Sequence, residues 1–146
     1  MMLNKFIEKI KNLSKLEICR QFMKFCLVGM INTVVDFGVY LFFSRVIGLY
    51  FLLANILAIL AAMTVSFILN KYWTFANLEK KIKTQYLKFA LVNLVYFFLN
   101  NSIVLCLVDY LNLYDLWAKV IAIIIGLFWN FFANRYWTFK NTTDCR

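Results

Sequence analysis

Four long apolar runs, separated by short polar connectors, make up most of the chain. The runs cover about residues 25–44, 52–72, 86–108 and 117–137. Each run is close to the roughly 20 residues that an α-helix needs to cross the hydrocarbon core of a bilayer. The pattern therefore predicts an all-α membrane protein with four transmembrane helices.

The segment before the first run has a different pattern. Within residues 1–24, apolar side chains recur at helical spacing and lysines stand between them. This pattern is typical of an amphipathic helix that lies in the head-group plane of a membrane. We therefore expect an interfacial helix before the first span.

The second and fourth runs are copies of one another. Ala54–Asn77 and Ala118–Asn141 align without a gap, and both contain Asn, a cation and Tyr-Trp-Thr-Phe near their ends. The repeat extends to the other two runs, because Gln21–Phe25 matches Gln85–Phe89 at the same offset. Each repeat is therefore a hairpin of two predicted spans.

The repeats define the predicted organisation of the chain. Because each repeat holds an even number of spans, the two are parallel, with a pseudo-two-fold axis along the membrane normal. The predicted segments are a basic interfacial segment (1–24), a first two-helix repeat (25–77), a basic cytoplasmic linker (78–85), a second two-helix repeat (86–141) and a tail (142–146).

Composition and charge support a membrane location. The chain is 64% hydrophobic and carries 16 Lys and Arg against 7 Asp and Glu, whereas a soluble domain has about half apolar residues. The basic residues lie at the ends of the apolar runs, which fits membrane topology better than binding to nucleic acid. The positive-inside rule places both termini and the linker in the cytoplasm. We expect a multi-pass protein of the cell (plasma or inner) membrane with no nucleic-acid partner.

Metal sites, cofactors and catalysis are not indicated by the residue pattern. The four cysteines form no CxxC pair and the chain has no His, so neither a zinc site nor a disulfide framework is predicted. The sequence also offers no nucleophile with a paired base and no acidic metal pair. We therefore expect no enzymatic activity and no cofactor.

Asp36 is unusual among the polar residues of the spans. It lies near the predicted bilayer midplane, where an ionised carboxylate costs on the order of 2.5–3.5 kcal/mol on insertion scales. Asn100 occupies the equivalent position in the second repeat, and Asn32 lies one turn nearer the cytoplasm. Asp36 is a proton or cation site that couples transport, a counter-charge that organises the polar seam, or a protonated or hydrogen-bonded residue that holds helices together.

The repeated ends of the second and fourth spans form another group of candidates. A cation balances the charge of a phosphate head group, and an amide donates hydrogen bonds to it. Two copies are expected to form a clamp on the cytoplasmic side. Alternatively, the cations and rings are interface anchors, which does not account for the repeated Asn. The candidate substrate-binding residues of this group are Asn70, Lys71, Trp73, Asn134, Arg135 and Trp137.

Two further polar positions extend this group. Asn130 lies one turn before Asn134, and Ser66 is its equivalent in the first repeat, so a polar groove is expected along this face. Lys119 begins the last span on the outer side of the membrane. There it either binds phosphate on release or extends to the lipid head groups, as long cations do.

Three stretches resemble a known family. Val28–Phe37, VGMINTVVDF, resembles the VGxxNTxxDF-like signature of the GtrA-like family. Ser66–Phe75 is similar to that family's second signature, and Asn134–Phe139 to its closing one. The third span departs by being rich in Asn, with Lys88 as its one cation. The resemblance implies that the working residues are Asn32, Asp36, Asn70, Lys71, Asn134 and Arg135.

The resemblance also implies a function. GtrA-like proteins accompany cell-surface polysaccharide or teichoic-acid glycosylation. The expected activity is movement of a polyprenyl-phosphate-linked sugar from the cytoplasmic to the outer leaflet, where a separate membrane glycosyltransferase uses it. A non-transporting accessory subunit of such an enzyme and a small proton-coupled exporter that titrates Asp36 are the alternatives. Four short spans enclose little volume, so a homo-oligomer fits either transport function.

Overall fold

The computed structural model describes the backbone of residues 2–140 and the side chains of residues 15–140. The predicted tail, and the apolar and basic side chains of the first fourteen residues, lie outside this description. The described backbone contains no strand, and the prediction of an all-α protein is confirmed. The helices are α1 (Met2–Leu41), α2 (Phe51–Leu69), α3 (Ile82–Asp109) and α4 (Asp115–Ala133).

Four helical stretches are long and apolar enough to cross a membrane. The predicted N-terminal helix is present and continues into the first span, so that α1 has no break between them. Its position in the head-group plane stays a prediction. The candidate spans are Lys15–Val46, Phe51–Thr74, Ile82–Asp109 and Asp115–Thr138.

Three of the spans end in a short π-helical turn. These turns are π1 (Phe42–Val46), π2 (Asn70–Thr74) and π3 (Asn134–Thr138). The amide of Phe75 donates to the carbonyl of Asn70 at 2.9 Å, and the amide of Phe139 donates to that of Asn134 at 2.8 Å. The extra residue per turn makes these segments wider than an α-helix, and such turns occur frequently at functional sites.

The chain folds into two compact units, Met1–Ala76 and Asn77–Arg146. In the first unit α1 packs against α2 and π2, and in the second α3 packs against α4 and π3. Each unit buries a row of small residues at every fourth position, which allows two helix backbones to approach closely. The rows are Ala54, Ala58 and Ala62 in α2, and Ala118, Ala122 and Gly126 in α4.

The connections between the paired spans close in the same way in both units. Leu49 donates its amide to the carbonyl of Phe43 at 2.9 Å, and Leu113 donates to Leu107 at 3.1 Å. This bond joins residues six positions apart, one more than in a Schellman motif, and like that motif it closes over a residue in the left-handed conformation. Gly48 has a φ of 76° and Asn112 a φ of 48°. The duplication therefore extends to the backbone of the turns.

Asn77 joins the second unit through buried hydrogen bonds. Its Nδ2 donates to the carbonyl of Phe139 at 3.0 Å, and its Oδ1 accepts from Nε2 of Gln85, also at 3.0 Å. The amide of Glu79 donates to the same Oδ1. The residue that ends the first sequence repeat thus fastens the linker to the end of the fourth span.

Candidate functional site

The two π-helical turns bury the Asn and Thr side chains of the repeated motif. In π2, Asn70 and Lys71 are each 1% exposed and Thr74 is buried. In π3, Asn134 is 1% exposed and Thr138 is buried. A buried amide and a buried hydroxyl on one short turn need polar partners. The motif is therefore more than a ring of exposed interface anchors.

The buried asparagines donate along their own helices. Nδ2 of Asn134 donates to the carbonyl of Asn130 at 2.8 Å, and Nδ2 of Asn70 donates to Oγ of Ser66 at 3.3 Å. A carbonyl can only accept, so the orientation of the Asn134 amide is fixed by this bond. From the sequence, the Asn side chains were expected to donate to phosphate. In the structure one of the two N–H groups of each amide is directed back into its own helix, and donation to phosphate stays a prediction.

The atoms left without partners are mainly oxygens that accept hydrogen bonds. Oδ1 of Asn70, Asn134 and Asn130 is buried and has no partner within the described part of the chain. The hydroxyl oxygens of Thr74 and Thr138 are also buried and without a hydrogen-bond partner in that part of the chain. Buried carbonyl oxygens require donors, so these positions suit hydroxyl groups of a bound molecule.

Arg135 in π3 offers hydrogen-bond donors, whereas the asparagine oxygens offer acceptors. Its Nε and Nη1 are buried, and neither has a hydrogen-bond partner among residues 15–140. The guanidinium carbon lies 5.7 Å from the ring centre of Tyr136. A guanidinium with unpaired N–H donors suits an anionic acceptor such as a phosphate or a carboxylate. The second unit therefore carries unpaired hydrogen-bond donors on Arg135 and, on the residue before it in the sequence, an amide oxygen without a partner in the described part of the chain.

Lys71 occupies the position of Arg135 in the first unit. Its side chain is among the most deeply buried of the large residues, and its ammonium lies 5.6 Å from the ring centre of Tyr72. Both cations thus rest beside the tyrosine that follows them. The two units therefore share the contact between the cation and the next tyrosine, but Lys71 is fully buried whereas Arg135 is only half-buried.

The mid-span candidates lie on one face of their helices. Asn32 and Asp36 are one turn apart on α1 and half-buried, and Oδ1 of each is buried without a partner within residues 15–140. Oδ1 of Asn100, the equivalent of Asp36 on α3, is in the same state. The other asparagines of α3 differ, because Asn93 and Asn101 donate to carbonyls of their own helix.

The tryptophans of the motif lie on a different side of the turn from the buried asparagines. Nζ of Lys24 donates to the carbonyl of Trp73 at 3.0 Å and lies 5.5 Å from its ring centre. Nζ of Lys88 lies 5.6 Å from the ring centre of Trp137. Both indoles are about half exposed. These rings pair with lysines from the preceding helix of their unit rather than with Asn or Arg of their own motif.

Lys119 lies apart from the other candidates. It is exposed in the first turns of α4, about 22 Å along the helix from Asn134 at 1.5 Å per residue. No contact brings it to Arg135. Its predicted roles, phosphate release or contact with head groups, both stay predictions.

Several residues that the sequence analysis did not select belong to these sites. Thr74 and Thr138 were visible in the repeated motif, and Lys24 and Lys88 were visible in the repeated Gln-(x2)-Lys-Phe pattern. Each unit also places a phenylalanine pair beside the lysine. Phe25 and Phe75 have ring centres 6.3 Å apart, and Phe89 and Phe139 have ring centres 6.1 Å apart. Each of these residues occurs at the same position in both repeats, and this repetition was the signal in the sequence that could have identified them.

Comparison with known proteins agrees with the fold and the motifs. The family model for the GtrA/DPMS transmembrane domain matches residues 24–139. The uncharacterized membrane protein YngA of Bacillus subtilis (strain 168) is 31% identical, over 94% of this chain and 88% of its own length. The family is associated with polyprenyl-phosphate sugar lipids and glycosyltransferases, and its members are generally non-catalytic. The chain is therefore a membrane protein that belongs to the GtrA/DPMS transmembrane-domain family.

Proposed function

We propose that this protein moves a polyprenyl-phosphate-linked sugar from the cytoplasmic to the outer leaflet, for cell-surface polysaccharide or teichoic-acid glycosylation. Its family has a role in glycosylation that uses polyprenyl-phosphate sugars, or in flipping them. The proposal narrows this role to transbilayer movement and assigns the head group to the second unit. A membrane glycosyltransferase on the outer side is the proposed recipient of the sugar.

The observation that carries the proposal is that unpaired hydrogen-bond donors and unpaired hydrogen-bond acceptors both occur in π3 and in the last turn of α4. Two buried nitrogens of Arg135, and buried oxygens of Asn130 and Asn134, have no hydrogen-bond partner among the described side chains. A phosphate accepts from the first and sugar hydroxyls donate to the second. A sugar linked to a phosphate supplies both kinds of group in adjacent positions, whereas a simple anion leaves the amide oxygens unsatisfied.

The mid-span acceptors support movement as well as binding. A sugar that crosses the apolar core loses its hydrogen bonds to water, which costs about 1–3 kcal/mol for each unpaired polar group. Asn32 and Asp36 in the first unit, and Asn100 in the second, each offer an oxygen without a partner in the described part of the chain. In either unit, such oxygens replace water as acceptors during the passage. The polyprenyl chain stays in the surrounding lipid throughout.

The proposed direction depends on topology. Arg and Lys are concentrated at the N-terminal segment, the linker and the C-terminal end, so these parts are proposed to face the cytoplasm. The π3 turn then opens towards the cytoplasmic leaflet of the plasma or inner membrane, where activated sugars are attached to their lipid. In this proposed topology Lys119 lies at the outer end of α4, where we propose that it contacts the phosphate on release.

Reconstitution of the purified protein into liposomes tests this function. A fluorescent polyprenyl-phosphate sugar is placed in both leaflets, and a membrane-impermeant reagent destroys the outward-facing fraction. With transport, the remaining half becomes accessible at a rate that rises with the number of protein copies. A polyprenyl carrying a neutral head group is the matched substrate control. If the protected half persists in protein-containing liposomes, transport is excluded and an accessory role with a glycosyltransferase becomes the better account.

A further inference from the structure

The second unit contains an apolar groove that the proposed head-group site does not use. It has a volume of about 380 Å³ and is lined by Val92, Val95, Trp129, Phe132, Ala133 and Trp137. This volume is within the roughly 300–1,000 Å³ typical of ligand sites. Every lining residue is apolar or aromatic, so the groove suits a hydrocarbon chain rather than a sugar.

A cation marks one end of this groove. Lys88, Val92 and Val95 follow one another on one face of α3 at the spacing of an α-helix. Nζ of Lys88 lies 5.6 Å from the ring centre of Trp137, which itself lines the groove. Lys88 has no hydrogen-bond partner within residues 15–140, although an ammonium has three N–H donors. An anionic group placed beside Trp137 therefore meets a free cation at the end of an apolar channel.

The first unit shows why this arrangement is particular to the second. Its equivalent lysine, Lys24, already donates to the carbonyl of Trp73 at 3.0 Å. The positions of Trp129 and Ala133 are occupied there by Val65 and Leu69. Lys24 is thus hydrogen-bonded within the protein, whereas Lys88 is available to donate to a ligand.

We propose that this groove is a binding site for an anionic glycerophospholipid of the bilayer, with one acyl chain in the groove and the phosphodiester on Lys88. One cation matches the single negative charge of a phosphodiester, and no polar side chain lines the groove to recognise a sugar. The groove also lies on a different face of the fourth span from Asn134 and Thr138, which are buried. The proposal is therefore independent of the transported lipid.

Quenching of tryptophan fluorescence by brominated lipids tests the site. The chain has four tryptophans, and replacement of Trp73 and Trp117 by Phe leaves only the two that line the groove. In detergent micelles, brominated phosphatidylglycerol is expected to reach half-quenching at about a five-fold lower concentration than brominated phosphatidylcholine, the factor expected of one cation near an anionic lipid. Equal half-quenching concentrations for the two lipids would overturn the proposal.

Three variants in this background locate the site and its occupant. Lys88→Gln is expected to abolish the preference for phosphatidylglycerol, whereas the matched Lys24→Gln keeps it. Ala133→Leu introduces the residue that the first repeat carries and is expected to reduce quenching by both lipids. Retention of the preference in Lys88→Gln, or unchanged quenching in Ala133→Leu, would refute the assignment.

Competition identifies the lipid that occupies the groove. Unbrominated phosphatidylglycerol is expected to restore fluorescence at a lower concentration than a polyprenyl-phosphate sugar does. The reverse order would show that the groove belongs to the transported lipid, and the proposal of a separate phospholipid site would be wrong.

Discussion

Nζ of Lys24 donates a 3.0 Å hydrogen bond to the carbonyl oxygen of Trp73 and lies 5.5 Å from the centre of the same indole ring. One side chain of α1 thus holds the turn that carries Asn70 and Lys71. In the second unit Lys88 keeps the contact with the ring of Trp137, but the hydrogen bond to the carbonyl is not part of that pair. The two copies of the motif are therefore held by different contacts: a hydrogen bond and a cation–π contact in the first unit, and a cation–π contact in the second.

Replacement of each lysine by Met measures this difference. Lys24→Met is expected to lower the free energy of unfolding by about 1–2 kcal/mol, because a charged hydrogen bond and a cation–π contact are both lost. Lys88→Met is expected to lower it by less than about 1 kcal/mol. Unfolding in mixed micelles without added phospholipid gives both values. A larger loss for Lys88→Met would contradict the assignment of the stronger contact to the first unit.

Gly126 tests the close packing of the second hairpin. A Cβ added at this position would overlap the ring of Tyr96, so Gly126→Val is expected to lower the free energy of unfolding by about 1–3 kcal/mol. Gly38→Ala is the control, because nothing lies within 4 Å of a Cβ at that position. That control should leave the protein equally or more stable. Thermal melting in detergent compares the two variants with the native chain.

The sequence predicted much of this fold from the spacing of apolar residues. The four spans and their duplication were readable because hydrocarbon thickness fixes the length of a helix that crosses it. The rows of small residues were also present in the sequence. They do not stand out from the sequence, because alanine is apolar like its neighbours and contributes to the general hydrophobicity of the span.

The sequence predicted only part of the candidate site, for a physical reason. The repeated Asn and cation indicated a polar turn, but their hydrogen bonds depend on whether the turn is α-helical or π-helical, and spacing alone does not distinguish these. The orientation of the Asn134 amide is set by the carbonyl of Asn130. Its role as an acceptor rather than a donor could therefore be read only from the three-dimensional arrangement.

Asn134→Leu tests that role. Loss of the acceptor is expected to weaken binding of a polyprenyl-phosphate sugar roughly ten-fold while leaving binding of polyprenyl phosphate unchanged, because only the sugar donates to Oδ1. Asn93→Leu is the matched control, since Nδ2 of Asn93 also donates to its own helix and its oxygen is not among the buried unpaired atoms. Native mass spectrometry with both lipids measures the effect. Equal weakening for the two lipids would contradict a sugar contact at this residue.

Asp36 is expected to act as a hydrogen-bond acceptor, a role for which its charge is not needed. Asn100, its equivalent in the second unit, presents a similar unpaired Oδ1 without a charge. Asp36→Asn should therefore retain at least about half of the transport rate, and Asp36→Leu should lose most of it. Rates in liposomes with and without a pH gradient distinguish the two roles. If Asp36→Asn is as inactive as Asp36→Leu, the carboxylate titrates during transport.

Arg135 is the residue on which the account of head-group recognition depends. The most direct measurement is the rate at which a polyprenyl-phosphate sugar crosses liposome membranes that contain the native chain, Arg135→Gln or Arg45→Gln. Arg45 is an exposed cation of π1 and controls for the loss of one charge. We predict that Arg135→Gln lowers the rate roughly ten- to hundred-fold, since a charge-assisted hydrogen bond contributes about 1.5–3 kcal/mol, and that Arg45→Gln leaves it unchanged. An unchanged rate in Arg135→Gln would contradict the assignment of the phosphate to this turn.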